Sequence, residues 1–372
     1  MTDTVADVGG DFIPWAQPSY WGSERELVLD ALESTWISGG PYVDRLEAEL
    51  QQQLVIDHVQ AVSNGTSALH LAYLGLGLEQ GAEIVLPAFG FQAAANVAIL
   101  AGLRPVFCDV DEHTWCASAR TVADAASDQT RAVAVIHTYG NMCPMDEIAE
   151  LASRRGFPVI EDAAEAFGSR LGNAHAGTLG TIGTFSFHAT KTITTGEGGA
   201  VATNDGRIAE RMALYRSHGL RRKTHYWHEV PGHNFRLSNI QAALGCAQLA
   251  HLDRILAERA RVYDAYRECL TSDALTLQTF PAGVTAVVWS VGARLSEDAY
   301  PQGRDAVLHR MLELGIECRP GFYTPHQLGW YGALLLPAAE RLAASVITLP
   351  SFPALSEEQI DRICRALFSM RR

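Results

Sequence analysis

Apolar positions along the chain follow two periods. From about residue 55 to about residue 205, short unbroken apolar runs alternate with stretches whose apolar residues return every three or four positions. The runs at 58–62, 83–86, 105–110, 131–137, 158–161, 181–187 and 199–203 read as strands. The segments 67–78, 92–102 and 145–155 read as helices, the first with an apolar face at Leu69, Leu71, Ala72 and Leu76. Strands that are apolar throughout, separated by helices, imply a mostly parallel sheet buried on both faces. Ligands of such sheets bind beyond the carboxyl ends of the strands.

The flanks add to this core. Ser23-Glu24-Arg25-Glu26 reads as a capping box opening a helix to about residue 34. Residues 237 to about 271 read as long helix with one break, followed by a strand at 285–293 and helices at 303–314 and 356–368. The expected architecture is α/β. A large domain (1–250, with an N-terminal arm and helix) carries a mostly parallel central sheet covered by helices, and a smaller C-terminal α+β domain spans 251–372. A chain of 372 residues suits that division.

Composition narrows the function classes. Hydrophobic residues at 48% and charged residues at 19% are ordinary for a globular protein. No apolar run reaches the length of a membrane span, and residues 1–10 carry neither a basic nor an apolar leader segment. The seven cysteines are scattered without a C-x-x-C pair, so neither a disulfide framework nor a metal site is expected, and the cytoplasm is the expected compartment. A net charge of −13 excludes wholesale nucleic-acid or membrane binding, yet leaves room for a small anionic substrate in a locally basic cleft.

The chemistry gathers at strand ends. Lys191 leaves a short apolar strand in Phe185-Ser-Phe-His-Ala-Thr-Lys191 and is followed by Thr-Ile-Thr-Thr-Gly-Glu-Gly-Gly199, a small, hydroxylated loop suited to folding closely around a ligand. Most exposed lysines are solvated charges, and Asp162 alone would serve equally as a helix cap. Together, in a chain where Val159-Ile-Glu-Asp162 ends another strand, they fit the needs of pyridoxal 5'-phosphate. That cofactor takes a lysine for a Schiff base and a carboxylate that keeps its ring nitrogen protonated. Its phosphate needs N–H donors at a helix start, which Ser63-Asn-Gly65-Thr66-Ser67 would supply, with Ser186 as a further hydroxyl. Phe89 follows a strand end, where it would stack on the ring or serve as a core aromatic. Gly75-Leu-Gly77-Leu-Glu-Gln-Gly81 is no dinucleotide fingerprint: its last spacing is one residue too long and it follows a helix.

The runs Ser63-Asn-Gly-Thr-Ser-Ala-Leu-His, Glu161-Asp-Ala-Ala, Phe185-Ser-Phe-His-x-x-Lys191 and Gly196-Glu-Gly-Gly together resemble the DegT-type sugar aminotransferases. These are fold-type I pyridoxal enzymes that aminate nucleotide-linked keto sugars, and the likeness covers nearly the whole chain. Residues 34–40, the Lys191-Thr-Ile-Thr-Thr run and residues 225–236 most resemble the perosamine-synthase branch. The resemblance implies glutamate as donor and a GDP-linked 4-keto-6-deoxymannose as acceptor. The same chemistry on a 3-keto, dTDP- or UDP-linked sugar or a cyclitol ketone is the alternative, and a non-catalytic cofactor-bound regulator is a further one. It implies that Gly65, Thr66 and Ser186 hold the phosphate, that Phe89 stacks on the ring, and that Asp162 pairs with the ring nitrogen. It implies too that Glu165 lies beside the cofactor, where relatives often carry Gln or His. Asn234 would reach the phosphate of the neighbouring subunit in a homodimer with shared sites. Ser38, His188, Arg236, Tyr323 and His326 are the corresponding substrate candidates. The basic run Arg221-Arg222-Lys223 is a candidate diphosphate clamp, or simply a solvated face.

Overall fold

In this computed structural model, residues 11–220, 224–329, 331–332 and 335–372 are described. The run Arg221–Lys223 lies outside them. Two N-terminal helices, α1 (Glu24–Glu33) and α2 (Pro41–Leu54), precede the sheet. The sheet is built from β1 (His58–Val62), β2 (Glu83–Pro87), β3 (Arg104–Cys108), β4 (Thr130–Ile136) and β5 (Val159–Asp162). A small hairpin, β6 (Arg170–Leu171) with β7 (Ala174–His175), interrupts it before β8 (Ile182–Ser186) and β9 (Gly199–Thr203) complete it.

The order is β1-β9-β8-β5-β4-β2-β3. Every pair is parallel except those made by β9, which runs antiparallel to both β1 and β8. The expected mostly parallel sheet is therefore present, with one reversed strand. Alternation along each strand feeds two cores. Ile84, Leu86, Ala132, Ala134 and Ile136 pack with α3 (Gly65–Leu76) and α4 (Ala93–Leu100). Val85, Val133 and Val135 face the other way, against α5 (Ala119–Ala125) and α6 (Met145–Arg155). Both parities are apolar, so the strands read as continuous apolar runs. Further along, α7 (Gly206–Arg216) packs beside α3, and α8 (Asn239–Leu249) lies on α1 and α2.

The anticipated long helix divides at Ala250–His251 into α8 and α9 (Leu252–Cys269). The domain boundary expected at residue 250 falls just before a helix that serves both cores. Leu252 and Ile255 pack with Phe185 and Phe187 of the large sheet, whereas Val262 and Tyr266 pack with the C-terminal core. That core surrounds a second, antiparallel sheet of order β10-β12-β14-β13. Its strands are β10 (Leu275–Leu277), β12 (Val291–Leu295), β13 (Arg319–Pro320) and β14 (Val346–Leu349), while β11 (Val284–Thr285) pairs with the β6 hairpin instead. The single strand expected at 285–293 is thus two elements. The helices α10 (Arg304–Glu313), α11 (Pro337–Ser345) and α12 (Glu357–Ser369) complete the unit. The N-terminal arm returns to it, because Ile13 bridges Ile316.

One cap differs from expectation. Ser23 makes no side-chain cap bond at α1. Glu24, the first residue of the helix, instead ties down the turn before it, its carboxylate accepting the N–H groups of Trp21 at 2.8 Å and Gly22 at 2.9 Å. Among the described residues no helix is long and apolar enough to cross a membrane.

Candidate active site

Beyond the carboxyl ends of β5 and β8 lies a cavity of about 750 Å³, closed on its far side by the N-terminal arm and the C-terminal unit. Each wall follows from local sequence. All four residues of β5 are buried, so the strand delivers Asp162 to the cavity floor. Ser186 ends β8, and the chain then closes a loop on itself. Phe187 N–H donates to Gly198 O at 2.8 Å, and Thr195 N–H donates to Phe187 O at 2.8 Å. Phe187 and Ile193 anchor that loop in the core and leave Lys191 facing inward.

The start of α3 forms a second wall. Asn64 caps it, its side-chain oxygen accepting Ser67 N–H at 2.7 Å. The N–H groups of Gly65 and Thr66 have no partner among the described residues, as the first turn of a helix leaves them free. A Cβ on Gly65 would stand 2.8 Å from the Ser186 Cβ, so glycine is what lets helix start and serine converge. Ser186 Oγ accepts His188 N–H at 3.3 Å and keeps its own proton to donate. This cradle of N–H and O–H donors is an anion site of phosphate type.

The centre is a buried charge cluster. Lys191 Nζ lies 3.5 Å from Glu165 Oε1 and 3.4 Å from the centroid of the Trp289 ring. Burial pushes the Lys191 ammonium below the ordinary lysine range, while the charges of Glu165 and Asp162 oppose it. Burial likewise pushes the Glu165 carboxyl up, with Lys191 and the Tyr139 N–H opposing. Asp162 is pushed up to about 6, mainly by burial, with the Ala164 N–H opposing and the Glu165 charge adding. Clustered opposed shifts of this kind are what proton-transfer sites carry.

Beneath the floor, His137 and Glu161 are fully buried and bonded at 2.9 Å. Cys143 N–H donates to His137 Nδ1, so Nε2 holds the proton and donates to Glu161. Glu161 also accepts the N–H groups of Gly177, Leu179 and Gly180, tying the turn after β7 under Asp162.

The cavity brings together Lys191, Asp162, Glu165, Gly65, Thr66, Ser186 and His188. Other candidates sit elsewhere. Phe89 is 0% exposed and packs edge-on against Trp115, Tyr139 and Phe322 in the core. The aromatic that lines the cavity in its place is Phe91, 61% exposed. Tyr323 and His326 do not line it: Tyr323 turns to Arg304, and His326 lies 3.8 Å from Glu340. Their neighbours Phe322, Pro320 and Arg319 face inward instead. Ser38, Asn234 and Arg236 are exposed and outside this chain's own cavity, with Arg236 Nε donating to Asn234 Oδ1 at 3.1 Å. Trp15, Tyr139, Trp289 and Arg319 are lining residues that the motifs did not indicate.

Comparison with known proteins gives a consistent picture. Residues 20–368 match the model of the DegT/DnrJ/EryC1/StrS aminotransferase family. The GDP-perosamine synthase of Escherichia coli O157:H7 is 39% identical over 361 residues, covering 96% of this chain and 98% of that protein. The GDP-perosamine synthase of Caulobacter vibrioides is 37% identical, covering 95% and 96%. Among solved structures, the aminotransferase TlmJ from Streptoalloteichus hindustanus superposes with a TM-score of 0.91 at 32% identity, over 96% of this chain and 98% of that one.

Proposed function

Because this chain belongs to the DegT/DnrJ/EryC1/StrS aminotransferase family, we propose that it transfers an amino group from glutamate to C4 of GDP-4-keto-6-deoxymannose, using pyridoxal 5'-phosphate held over Lys191. The observation that carries the reading is the convergence of a buried lysine, two buried carboxylates and an N–H cradle in one cavity. The residues present fit the cofactor. Gly65, Thr66 and Ser186 would hold its phosphate, Asp162 would face its ring nitrogen, and Phe91, which lines the cavity as the buried Phe89 does not, would cover its ring. When bound, the cofactor supplies an aldehyde that takes amines and a protonated ring that withdraws electrons.

The protein's own groups supply the rest. Lys191 offers the amine that holds the cofactor and, once free, moves a proton at the reacting carbon. Burial lowers its basicity, which favours release of that proton. Asp162 stabilises positive charge on the ring, and a cationic partner there would draw its carboxyl back down. Glu165 sits beside Lys191 as a second proton-holding group. Trp15, Trp289 and Phe322 exclude water from this floor. Arg319, on the cavity wall, offers a guanidinium for an anionic substrate group such as a donor carboxylate.

The acceptor and its carrier are proposed from the two GDP-perosamine synthases that match over nearly the full chain. A dimer with shared sites is proposed on the exposure of Trp36, Tyr226 and Trp227, at 64%, 90% and 60%. A cytoplasmic setting is proposed on the seven free cysteines. The test is turnover of GDP- and dTDP-linked 4-keto sugars with nitrogen-labelled glutamate, the new amine being located by NMR. Preference for the dTDP sugar, or an amine on C3, would replace the substrate while leaving the reaction class. Borohydride reduction of the loaded protein is expected to mark Lys191, and marking of another lysine would overturn the site.

A further inference from the structure

The Lys191 side chain ends on the face of an indole. Its Nζ is 3.4 Å from the Trp289 ring centroid. That ring is fixed by more than packing, since all three polar groups of Trp289 are bonded. Its backbone N–H donates to Tyr139 O at 3.0 Å, and its indole N–H donates to Thr190 O at 2.6 Å. Its carbonyl accepts Arg259 Nη1 at 3.1 Å. Arg259 reaches in from α9 and is 5% exposed, and its Nη2 donates to the carbonyl of Lys191 itself at 3.0 Å. Among the described residues Arg259 has no carboxylate partner, an arrangement that costs desolvation energy and is compensated here by two main-chain carbonyls. The ring is thus tied to the residue before the lysine and, through Arg259, to the lysine's own backbone.

We propose that Trp289 is a positioning residue whose indole face is the resting place of the Lys191 ammonium whenever the lysine is free of the cofactor. The inference rests on the transaminase reading above, in which the lysine is released and must return. An ammonium over an indole in a water-poor cavity is held electrostatically by the ring quadrupole. The ring takes no proton and forms no tight ion pair, so the amine stays close, oriented and able to lose its proton. The other charged or titratable groups around it are Asp162 at the end of β5, Glu165 just beyond it, Tyr139 after β4, Arg259 on α9, Arg319 on β13, and His188 and Glu197 in the lysine's own loop. Of the rings among the described residues, it is that of Trp289 over which the Lys191 ammonium stands.

The test uses the full-length chain freed of cofactor. Lys191 is trace-labelled with acetic anhydride across a pH series, and its peptide is quantified by mass spectrometry. Trp289→Phe keeps an aromatic face, whereas Trp289→Leu keeps apolar bulk without one. Trp289→Phe should label with the wild-type pH midpoint. In Trp289→Leu the midpoint should move to lower pH, with the ammonium-to-amine ratio at fixed pH falling about tenfold. Should Trp289→Leu not fold, Trp289→Met serves in its place. An unchanged midpoint in the apolar variant overturns the proposal, as does a shift in Trp289→Phe as large as in Trp289→Leu, which would assign the effect to the Thr190 bond. Borohydride reduction of the reloaded wild type separates the two readings: without an adduct on Lys191, the transaminase reading fails first.

Discussion

Glu165 engages two parts of the site at once: Oε1 lies 3.5 Å from Lys191 Nζ, and Oε2 accepts Tyr139 N–H at 2.9 Å. Tyr139 adopts φ 58°, a left-handed conformation uncommon for a large side chain, and the bond from its N–H helps hold it there. The carboxylate therefore sets both the charge near the lysine and the turn on which Trp289 docks. Glu165→Gln keeps the shape and an acceptor oxygen but removes the charge that supports the Lys191 ammonium. Lys191 should then lose its proton at lower pH, and roughly severalfold more of it should be labelled by acetic anhydride at pH values below the wild-type labelling midpoint. Equal labelling curves for variant and wild type would show that Glu165 is uncharged in the folded protein.

Asp162 gives a stability test with a definite sign. Burial raises its carboxyl from the ordinary 3.8 to about 6, so the folded state binds this proton more tightly than the unfolded chain. The stability so gained is fully present below about pH 4 and is lost as pH rises through about 6. Asp162→Asn, uncharged throughout, should match the cofactor-free wild type near pH 4 and exceed it above pH 6 by about 2–3 kcal/mol. Urea midpoints at the two pH values measure this. A difference that does not change with pH would mean that the folded carboxyl titrates as in the unfolded chain, its neighbours offsetting the burial.

Some of this site was legible in the chain because the signal is local. Gly65, Thr66, Asp162, Ser186 and Lys191 each lie at a strand exit or helix start, and strand topology alone sends those positions to one edge of the sheet. The residues that close the site were not legible. Trp15, Trp289, Arg319 and Phe322 come from the N-terminal arm and the C-terminal unit, and only tertiary docking turns them toward Lys191. Two misplacements are shifts within a short aromatic run. Once β2 ends at Pro87, nothing in Phe89-Gly90-Phe91 says which ring continues into the core, and in Phe322-Tyr323 the more polar residue turns outward. At α1, the serine suggested a side-chain cap that is not made, and Glu24 instead holds the turn before the helix.

The two phenylalanines can be told apart by experiment. Phe89 fills a buried space among Trp115, Tyr139 and Phe322, so Phe89→Ala should cost about 3–5 kcal/mol of stability. Phe91 is exposed on the cavity wall, and Phe91→Ala should change stability by no more than about 0.5 kcal/mol. It should instead weaken binding of pyridoxal phosphate, read from the visible absorbance during cofactor titration. Unchanged cofactor affinity in Phe91→Ala would remove the ring-covering role from this residue.

Asn234 and Arg236 offer the sharpest test of a shared site. They are bonded to each other, exposed, and outside the cavity of their own chain. Their position is nonetheless well defined, because Asn234 bridges Ser217 and Arg236 bridges Val62 at the end of β1. A fixed, exposed polar pair without a role in its own cavity fits a role in a partner's. Lys191→Ala and Asn234→Ala should each be nearly inactive alone. If Asn234 serves the neighbouring subunit, a mixed dimer has one site with both defects and one site with neither. Random reassortment of equal amounts places half of the chains in mixed dimers, so roughly a quarter of the wild-type activity should return. If Asn234 served its own chain, every site in the mixed dimer would carry one defect and nothing would return. Mixing after denaturation and refolding, with sedimentation to verify dimers, distinguishes the two arrangements. Recovery near zero in confirmed mixed dimers would place Asn234 outside the partner's site.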